Sequence, residues 1–398
     1  MINYNENFDN LQNNYLFFEV AKRVKNYKSS HSGAKIINLG IGDVTLPLCD
    51  VVVNAMHEAV DELSKDETFK GYGPYEGYET LRNSIRDYYK NFGVYVNSDE
   101  IFVSDGAKGD TSNIQEIFSS KGKVLITNPT YPAYLDSSII IGKEVNYLDA
   151  NKNNDFLPMP DYSVDADIIY LCSPNNPTGA VYNREQLKKW VEYAQEKKAI
   201  ILFDAAYESF IEDSSLPRSI FEIEDAKKCA IEICSFSKYA GFTGVRCGYM
   251  VIPGELKIGD KNAIDLWRKR ISIKENGVSY ITQKGAEAAL SAEGQNQLNL
   301  NLKYYKDNAK ILADALKSMN IWFIGGKNSP YIWLKCPNNM KSWEFFDLLL
   351  EKANIVGTPG AGFGTNGEGY FRLSSFGSRE DILEAVKRLK MLNLKGEN

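Results

Sequence analysis

Short, unbroken apolar runs separated by helix-like stretches constrain this chain more than any other feature. Residues 199–203 are Ala-Ile-Ile-Leu-Phe, and 229–234 and 247–252 are nearly as apolar. Residues 100–104, 123–127 and 167–172 carry the same signature. A strand with one wet face alternates between apolar and polar. A strand that is apolar on both sides must be covered on both, as in a parallel sheet between two helical layers. The stretches between the runs supply those layers. One of them, 184–197, is announced by Asn183 and Gln186 at capping-box spacing. The expected fold is α/β: a large domain with a mainly parallel central sheet sandwiched by helices, plus a smaller α+β domain.

The small domain is expected to draw on both ends of the chain. Residues 1–45 read as an N-terminal arm and small-domain segment, 46–295 as the large domain, and 296–398 as the C-terminal small domain. Helices are expected over 48–63, 79–91 and 105–118, and across 262–318 with breaks near Gly277 and Gly294. Then come strands at 322–324, 331–335 and 370–374, a helix at 343–353, and a last helix opening at Ser378.

Composition narrows the class. With 43% apolar residues and a net charge of −6, the chain has material for a large core and no footprint for nucleic acid or an anionic membrane. No stretch approaches the roughly 18 apolar residues that span a bilayer, and no secretion signal opens the sequence. The six cysteines form no CxxC pair and lie mostly beside apolar runs, as expected of free thiols in a cytoplasmic protein. His31 and His57 are the only histidines. They give little material for a metal site or a His-based triad, so no metal is expected and a cofactor is.

In parallel sheets, ligands bind beyond the carboxyl ends of the strands, and polar residues gather there in this sequence. Residues 104–109 offer a glycine turn and a helix start, with Gly106, Ala107 and Lys108 presenting N–H groups to an anion. Asn176 sits between prolines, and Asp204 ends its strand with Tyr207 three residues on. Ser235, Ser237, Lys238 and Arg246 occupy what reads as a loop between two buried strands. A lysine with no acidic neighbour can lose its charge and attack carbonyls. Hydroxyls, amides and an arginine suit a phosphate. Taken singly, each feature has a plain alternative: a surface turn with a solvated lysine, a turn-forming aspartate, an ordinary Asn-Pro turn. Together they are what pyridoxal 5′-phosphate (PLP) needs. Lys238 would hold it as a Schiff base, and Asp204 would pair with the pyridine nitrogen. Asn176 and Tyr207 would bond the phenolic oxygen, and Tyr131 would stack on the ring.

Ser-Pro-Asn-Asn-Pro-Thr-Gly at 173–179, Asp-Ala-Ala-Tyr at 204–207, Ser-Phe-Ser-Lys at 235–238, Gly-Val-Arg at 244–246 and Phe-Arg-Leu at 371–373 resemble the motifs of fold-type I, class I/II aminotransferases. Tyr-Leu-Phe at 15–17, Asn-Gly-Val-Ser-Tyr at 276–280, Ser-Pro-Tyr-Ile-Trp-Leu-Lys at 329–335 and the glycine-rich 357–364 are similar to the branch that acts on LL-2,6-diaminopimelate. The resemblance implies PLP-dependent amino transfer between an amino acid and 2-oxoglutarate, with diaminopimelate and tetrahydrodipicolinate as the pair, in lysine biosynthesis. It implies small amino and keto acids as partners and a homodimer with composite sites. It also implies that Arg372 clamps the substrate α-carboxylate and that Tyr72 reaches the phosphate of the other subunit's cofactor. Tyr15, Gly42, Lys108, Tyr131, Asn176 and Asn276 would line the substrate pocket, some of them from the neighbouring chain.

One loop departs from that branch, which reads Gly-Tyr-Gly-x-Glu-Gln-Gly and uses the glutamate for the distal ammonium. Residues 71–77 are Gly-Tyr-Gly-Pro-Tyr-Glu-Gly, so Tyr75 takes the glutamate position and Glu76 follows it. Two expectations stay open: Glu76 swings into the pocket, or the pocket favours another amino donor such as lysine or an aromatic amino acid. Two other classes are set aside. Ser-x-x-Lys at 235–238 fits serine acyl-enzymes of the penicillin-binding type, but their Ser-Asp-Asn and Lys-Thr-Gly motifs do not occur. A PLP-fold transcription regulator needs a basic DNA-binding domain, for which this acidic chain has no room.

Overall fold

The computed structural model describes residues 2–11 and 16–394. Seven strands form its central sheet: β1 Ile101–Ser104, β2 Lys123–Asn128, β3 Glu144–Asp149, β4 Ile168–Cys172, β5 Ile200–Asp204, β6 Ala230–Ser235 and β7 Gly248–Val251. Their order is β1-β7-β6-β5-β4-β2-β3. Strands β2 to β6 pair in parallel, while β7 is antiparallel to both β1 and β6. The double-sided burial required by the apolar runs is visible along β5. Ile201 and Phe203 join one core with Leu187 and Trp190, and Ile200 and Leu202 join the opposite core with Trp267 and Ile271. The fold is α/β with a mainly parallel sheet, as the sequence pattern requires.

A second, antiparallel sheet follows, of β8 Phe323–Gly325, β9 Tyr331–Lys335, β10 Thr358–Pro359 and β11 Tyr370–Ser374, in the order β8-β9-β11-β10. Phe371 and Leu373 join a core of their own with Phe346 and Leu349 of the helix Ser342–Ala353. The short strand Ile37–Asn38 pairs in parallel with Ile355–Val356, tying an early segment to this late one.

Several local expectations change. Lys238 is not on an open loop: β6 runs into a single helical turn, Phe236–Tyr239, and the Ser235 hydroxyl accepts the Ser237 N–H at 3.1 Å to cap it. The helix expected through residue 118 is Ala107–Asn113, after which the chain tightens into a 3-10 turn, Ile114–Ile117. Region 262–318 is three helices, Ala263–Lys274, Tyr280–Leu290 and Ala292–Ser318. Its second break falls at Ser291 rather than Gly294, because the Ser291 hydroxyl accepts the Gly294 N–H at 3.0 Å and caps the third helix. Strand β3 escapes a search for apolar runs. It lies at the sheet edge, pairs among the described residues only with β2, and reads Glu-Val-Asn-Tyr-Leu-Asp.

Strand β6 carries a carboxylate where an apolar residue is expected. Glu232 is 1% exposed and accepts hydrogen bonds from the Tyr89 hydroxyl (2.6 Å), the Ser219 hydroxyl (2.8 Å) and the Ile220 N–H (2.7 Å). Burial outweighs those bonds and pushes its pKa up to about 7. Between its ordinary value of 4.5 and that point, the folded protein holds a proton that the unfolded chain has lost. This group's share of stability therefore falls as pH rises through that window and stays lower above it. Glu232→Gln keeps the shape without the charge. It is expected to raise the melting temperature at pH 8 and leave it nearly unchanged at pH 5, a gain on the order of 1–3 kcal/mol. Equal shifts at both pH values would contradict the assignment.

Candidate active site

A cavity of about 480 Å³ opens at the carboxyl ends of β4, β5 and β6 and is closed from the other side by residues of β9 and β11. Lys238 stands in it. Its ammonium donates to the Gly42 carbonyl and lies 5.8 Å from the centre of the Phe376 ring. Burial lowers its pKa to about 8, Arg372 and Arg246 push the same way, and Asp43 opposes them. Near pH 8 a large share of Lys238 is thus the free amine, the form that attacks carbonyls and takes protons.

Asp204 ends β5 at the cavity wall. Its carboxylate accepts the Tyr134 hydroxyl at 2.5 Å and the Ala206 N–H at 3.0 Å. Among the described residues no cation pairs with it. Burial accordingly raises its pKa, against the pull of those two bonds. Across the cavity, Arg246 donates to the Ser237 hydroxyl at 3.3 Å and to the Thr243 carbonyl at 3.2 Å. Gly106, at φ +129°, backs this guanidinium: a Cβ there would lie 2.3 Å from Arg246 Nη2. Only glycine lets the arginine and the first N–H groups of the helix Ala107–Asn113 face one space.

Arg372, on β11, is 1% exposed. It donates to Asn176 Oδ1 (2.7 Å), the Gly40 carbonyl (2.8 Å) and Thr358 Oγ1 (3.3 Å), while its Nε has no partner among the described residues. The rings of Tyr331 and Phe363 lie 4.4 and 5.0 Å from its guanidinium carbon. No carboxylate of the described residues pairs with this buried cation, an arrangement that suits an anionic ligand.

Of the residues singled out in the sequence, Gly42, Ala107, Lys108, Tyr131, Asn176, Asp204, Tyr207, Ser235, Ser237, Lys238, Arg246 and Arg372 line this one cavity. Gly106, Tyr72, Tyr75, Glu76 and Asn276 do not. Tyr72 is 90% exposed. Glu76 does not swing in: its carboxylate takes Arg268 Nε at 2.6 Å and Arg82 Nη1 at 3.5 Å. Two guanidiniums are a better partner than open water, and they hold Glu76 outside the cavity of its own chain. Tyr15 lies outside the described residues. The sequence reading missed Tyr134 and Tyr331. Tyr134 follows Tyr131 by three residues on the helix Pro132–Ile140, and Tyr331 opens β9. Among 24 tyrosines neither carries a local mark of its role.

Comparison with known proteins now decides the family. Residues 34–389 match the family model described as aminotransferase class I and II. The chain belongs to the class I and II aminotransferases. A relative named LL-diaminopimelate aminotransferase, from Prochlorococcus marinus (strain MIT 9515), is 49% identical over 98% of this chain and 99% of its own length. One of the same name from Methanosphaera stadtmanae is 48% identical with the same coverage. The solved structure of L,L-diaminopimelate aminotransferase from Chlamydomonas reinhardtii matches with a TM-score of 0.93 at 42% identity, over 98% of this chain and 99% of that one. This aminotransferase is accordingly a PLP-dependent transaminase. The donor set of the cavity fits PLP: a buried carboxylate with no cation paired to it among the described residues, a guanidinium beside hydroxyls and a helix start, and a lysine that loses its proton near pH 8.

Proposed function

We propose that this aminotransferase exchanges amino groups between LL-2,6-diaminopimelate and 2-oxoglutarate, with tetrahydrodipicolinate as the other product or substrate, in lysine biosynthesis. The observation that carries the substrate choice is the spread of identity, 49% and 48% over nearly the whole of two relatives with that name. Bound PLP supplies an electron sink that makes the α-proton of an amino acid removable.

The residues divide that work as follows. Asp204 would hold the ring nitrogen protonated, and that charge would in turn keep Asp204 ionised against the pull of burial. Tyr131 would stack on the ring, and Asn176 and Tyr207 would bond its phenolic oxygen. Ser235, Ser237, Arg246 and the amides of Ala107 and Lys108 would hold the phosphate, while the Gly106 N–H, expected to join them, is taken by the Ser104 hydroxyl at 3.2 Å. Arg372 would clamp the α-carboxylate of both the amino and the keto acid, a role supported by its burial without an anionic partner. Lys238 would take the proton from the substrate Cα and hand it on. In this reading the unit 46–295 holds the cofactor, and the unit 296–398, with the arm 1–45, holds the substrate carboxylate.

The distal end of the substrate would meet Lys108 and Tyr131 of one chain, and Tyr72, Tyr75 and Asn276 of a second copy in a homodimer. Exposed Phe69, Tyr72 and Tyr75 support such a contact. Within one chain Pro74 packs on Gly277, where a Cβ would lie 2.9 Å from the Pro74 carbonyl, so the Tyr75 loop and Asn276 are neighbours. All six cysteines are free thiols, which favours a reducing cytoplasm. Tyr75 in the place of a glutamate is the one feature favouring a lysine or aromatic donor, and the full-length identity outweighs it. Glutamate release from 2-oxoglutarate tests the choice. LL-diaminopimelate is expected to drive it faster than lysine, tyrosine or phenylalanine at equal concentration, and a faster aromatic or lysine donor would overturn it.

A further inference from the structure

Tyr331 meets three parts of the site: Arg372, Tyr207 and Gly42. It is 1% exposed at the start of β9. The antiparallel ladder sets Trp333 opposite Arg372 and Tyr331 opposite Ser374, so Tyr331 is the diagonal neighbour of Arg372 on one face. Its ring centre lies 4.4 Å from the Arg372 guanidinium carbon. Its hydroxyl lies 2.8 Å from the hydroxyl of Tyr207, and the two rings meet edge to face at 5.1 Å. The same hydroxyl presses on Gly42, where a Cβ would come within 2.8 Å of it, and the Gly42 carbonyl receives Lys238.

The direction of the bond between the two hydroxyls follows from counting. One hydroxyl donates and the other accepts. Each finds only the other as a hydrogen-bond partner among the described residues. On the reading given above, Tyr207 uses its own proton for the phenolic oxygen of the cofactor. Tyr331 must then be the donor between them. A hydroxyl that receives a hydrogen bond becomes a stronger donor, so the pair acts as a relay.

We propose that Tyr331 is a positioning residue with two separable parts: its ring supports Arg372, and its hydroxyl donates to Tyr207, fixing the direction of the Tyr207 proton and strengthening its hold on the cofactor's phenolic oxygen. The proposal rests on the role given to Tyr207, and the experiment separates the two. Holoenzymes of the wild type and of Tyr207→Phe, Tyr331→Phe, the double variant and Tyr331→Leu are titrated by the visible absorption of the bound cofactor, and KM is measured for each substrate.

Removing a donor to an anionic oxygen raises the pH at which that band titrates. Tyr207→Phe is expected to shift it up by about one pH unit or more, and Tyr331→Phe by about 0.4–1 unit, the pH equivalent of one hydrogen bond. The double variant should move no further than Tyr207→Phe, as a relay requires. Tyr331→Phe keeps the ring and should leave KM within about twofold, while Tyr331→Leu should raise KM for amino and keto acid alike, about tenfold. A shift in Tyr207→Phe with none in Tyr331→Phe, or additive shifts in the double variant, would overturn the relay alone. No shift in Tyr207→Phe would overturn the reading of Tyr207 and the relay with it. Equal KM for Tyr331→Phe and Tyr331→Leu would overturn the role of the ring.

Discussion

Lys238→Ala is expected to lower the turnover of LL-diaminopimelate by at least ~10³-fold and to abolish the visible absorption band that the bound cofactor owes to the lysine. Two losses coincide in this variant. The side chain that takes the α-proton is gone, and so is the amine that holds the cofactor in place. The placement of Lys238 gives the expectation its size. Its nitrogen is buried beside Gly42, its pKa is brought down to about 8 by burial, and Arg372 and Arg246 keep it there. A surface lysine near its ordinary value of 10.5 would be mostly charged at neutral pH and a poor base. Cofactor absorbance and single-turnover rates measure the two losses separately. A variant that kept the band and turned over at the wild-type rate would remove Lys238 from the chemistry.

Arg372→Ala should be nearly as damaging, in a different kinetic constant. It removes a two-pronged, charge-assisted contact inside a buried site, so kcat/KM is expected to fall ~10²–10⁴-fold, mostly through KM. The loss should appear with the amino acid and with the keto acid, because both carry the α-carboxylate that this guanidinium meets. Arg372→Lys retains the charge but not the fork that also engages Asn176 and Gly40, and should recover little. Steady-state constants for each half of the reaction check this. A loss confined to one of the two substrates would mean that Arg372 does not serve a carboxylate common to both.

The fold was legible because its main constraint is local. Ile200 to Phe203 bury alternate side chains in two cores, and such a strand has to be apolar throughout. Strand β3 was not legible: an edge strand with one neighbour needs no apolar run. Ser291 against Gly294 shows the limit at helix ends. A glycine inside the first helical turn costs little, whereas the capping hydroxyl decides where the helix starts. The cofactor end of the site was legible too, since Asp204 and Ser235 end their strands and Lys238 follows in the next turn, where a parallel sheet leaves its polar groups. Tyr134 and Tyr331 were not, because their roles arise from partners 70 and 124 residues away. The fate of Glu76 depends on Arg268, 192 residues on, and no spacing rule announces that pair.

The assignment of residues to the two ends of the cavity is the centre of the account, and a crystal structure of the PLP-loaded protein tests it most directly. Continuous density is expected between Lys238 Nζ and the cofactor, with the ring nitrogen within hydrogen-bond reach of Asp204 and the phosphate held by Ser235, Ser237 and Arg246. Density that placed the phosphate on Arg372, or the ring nitrogen away from Asp204, would contradict it.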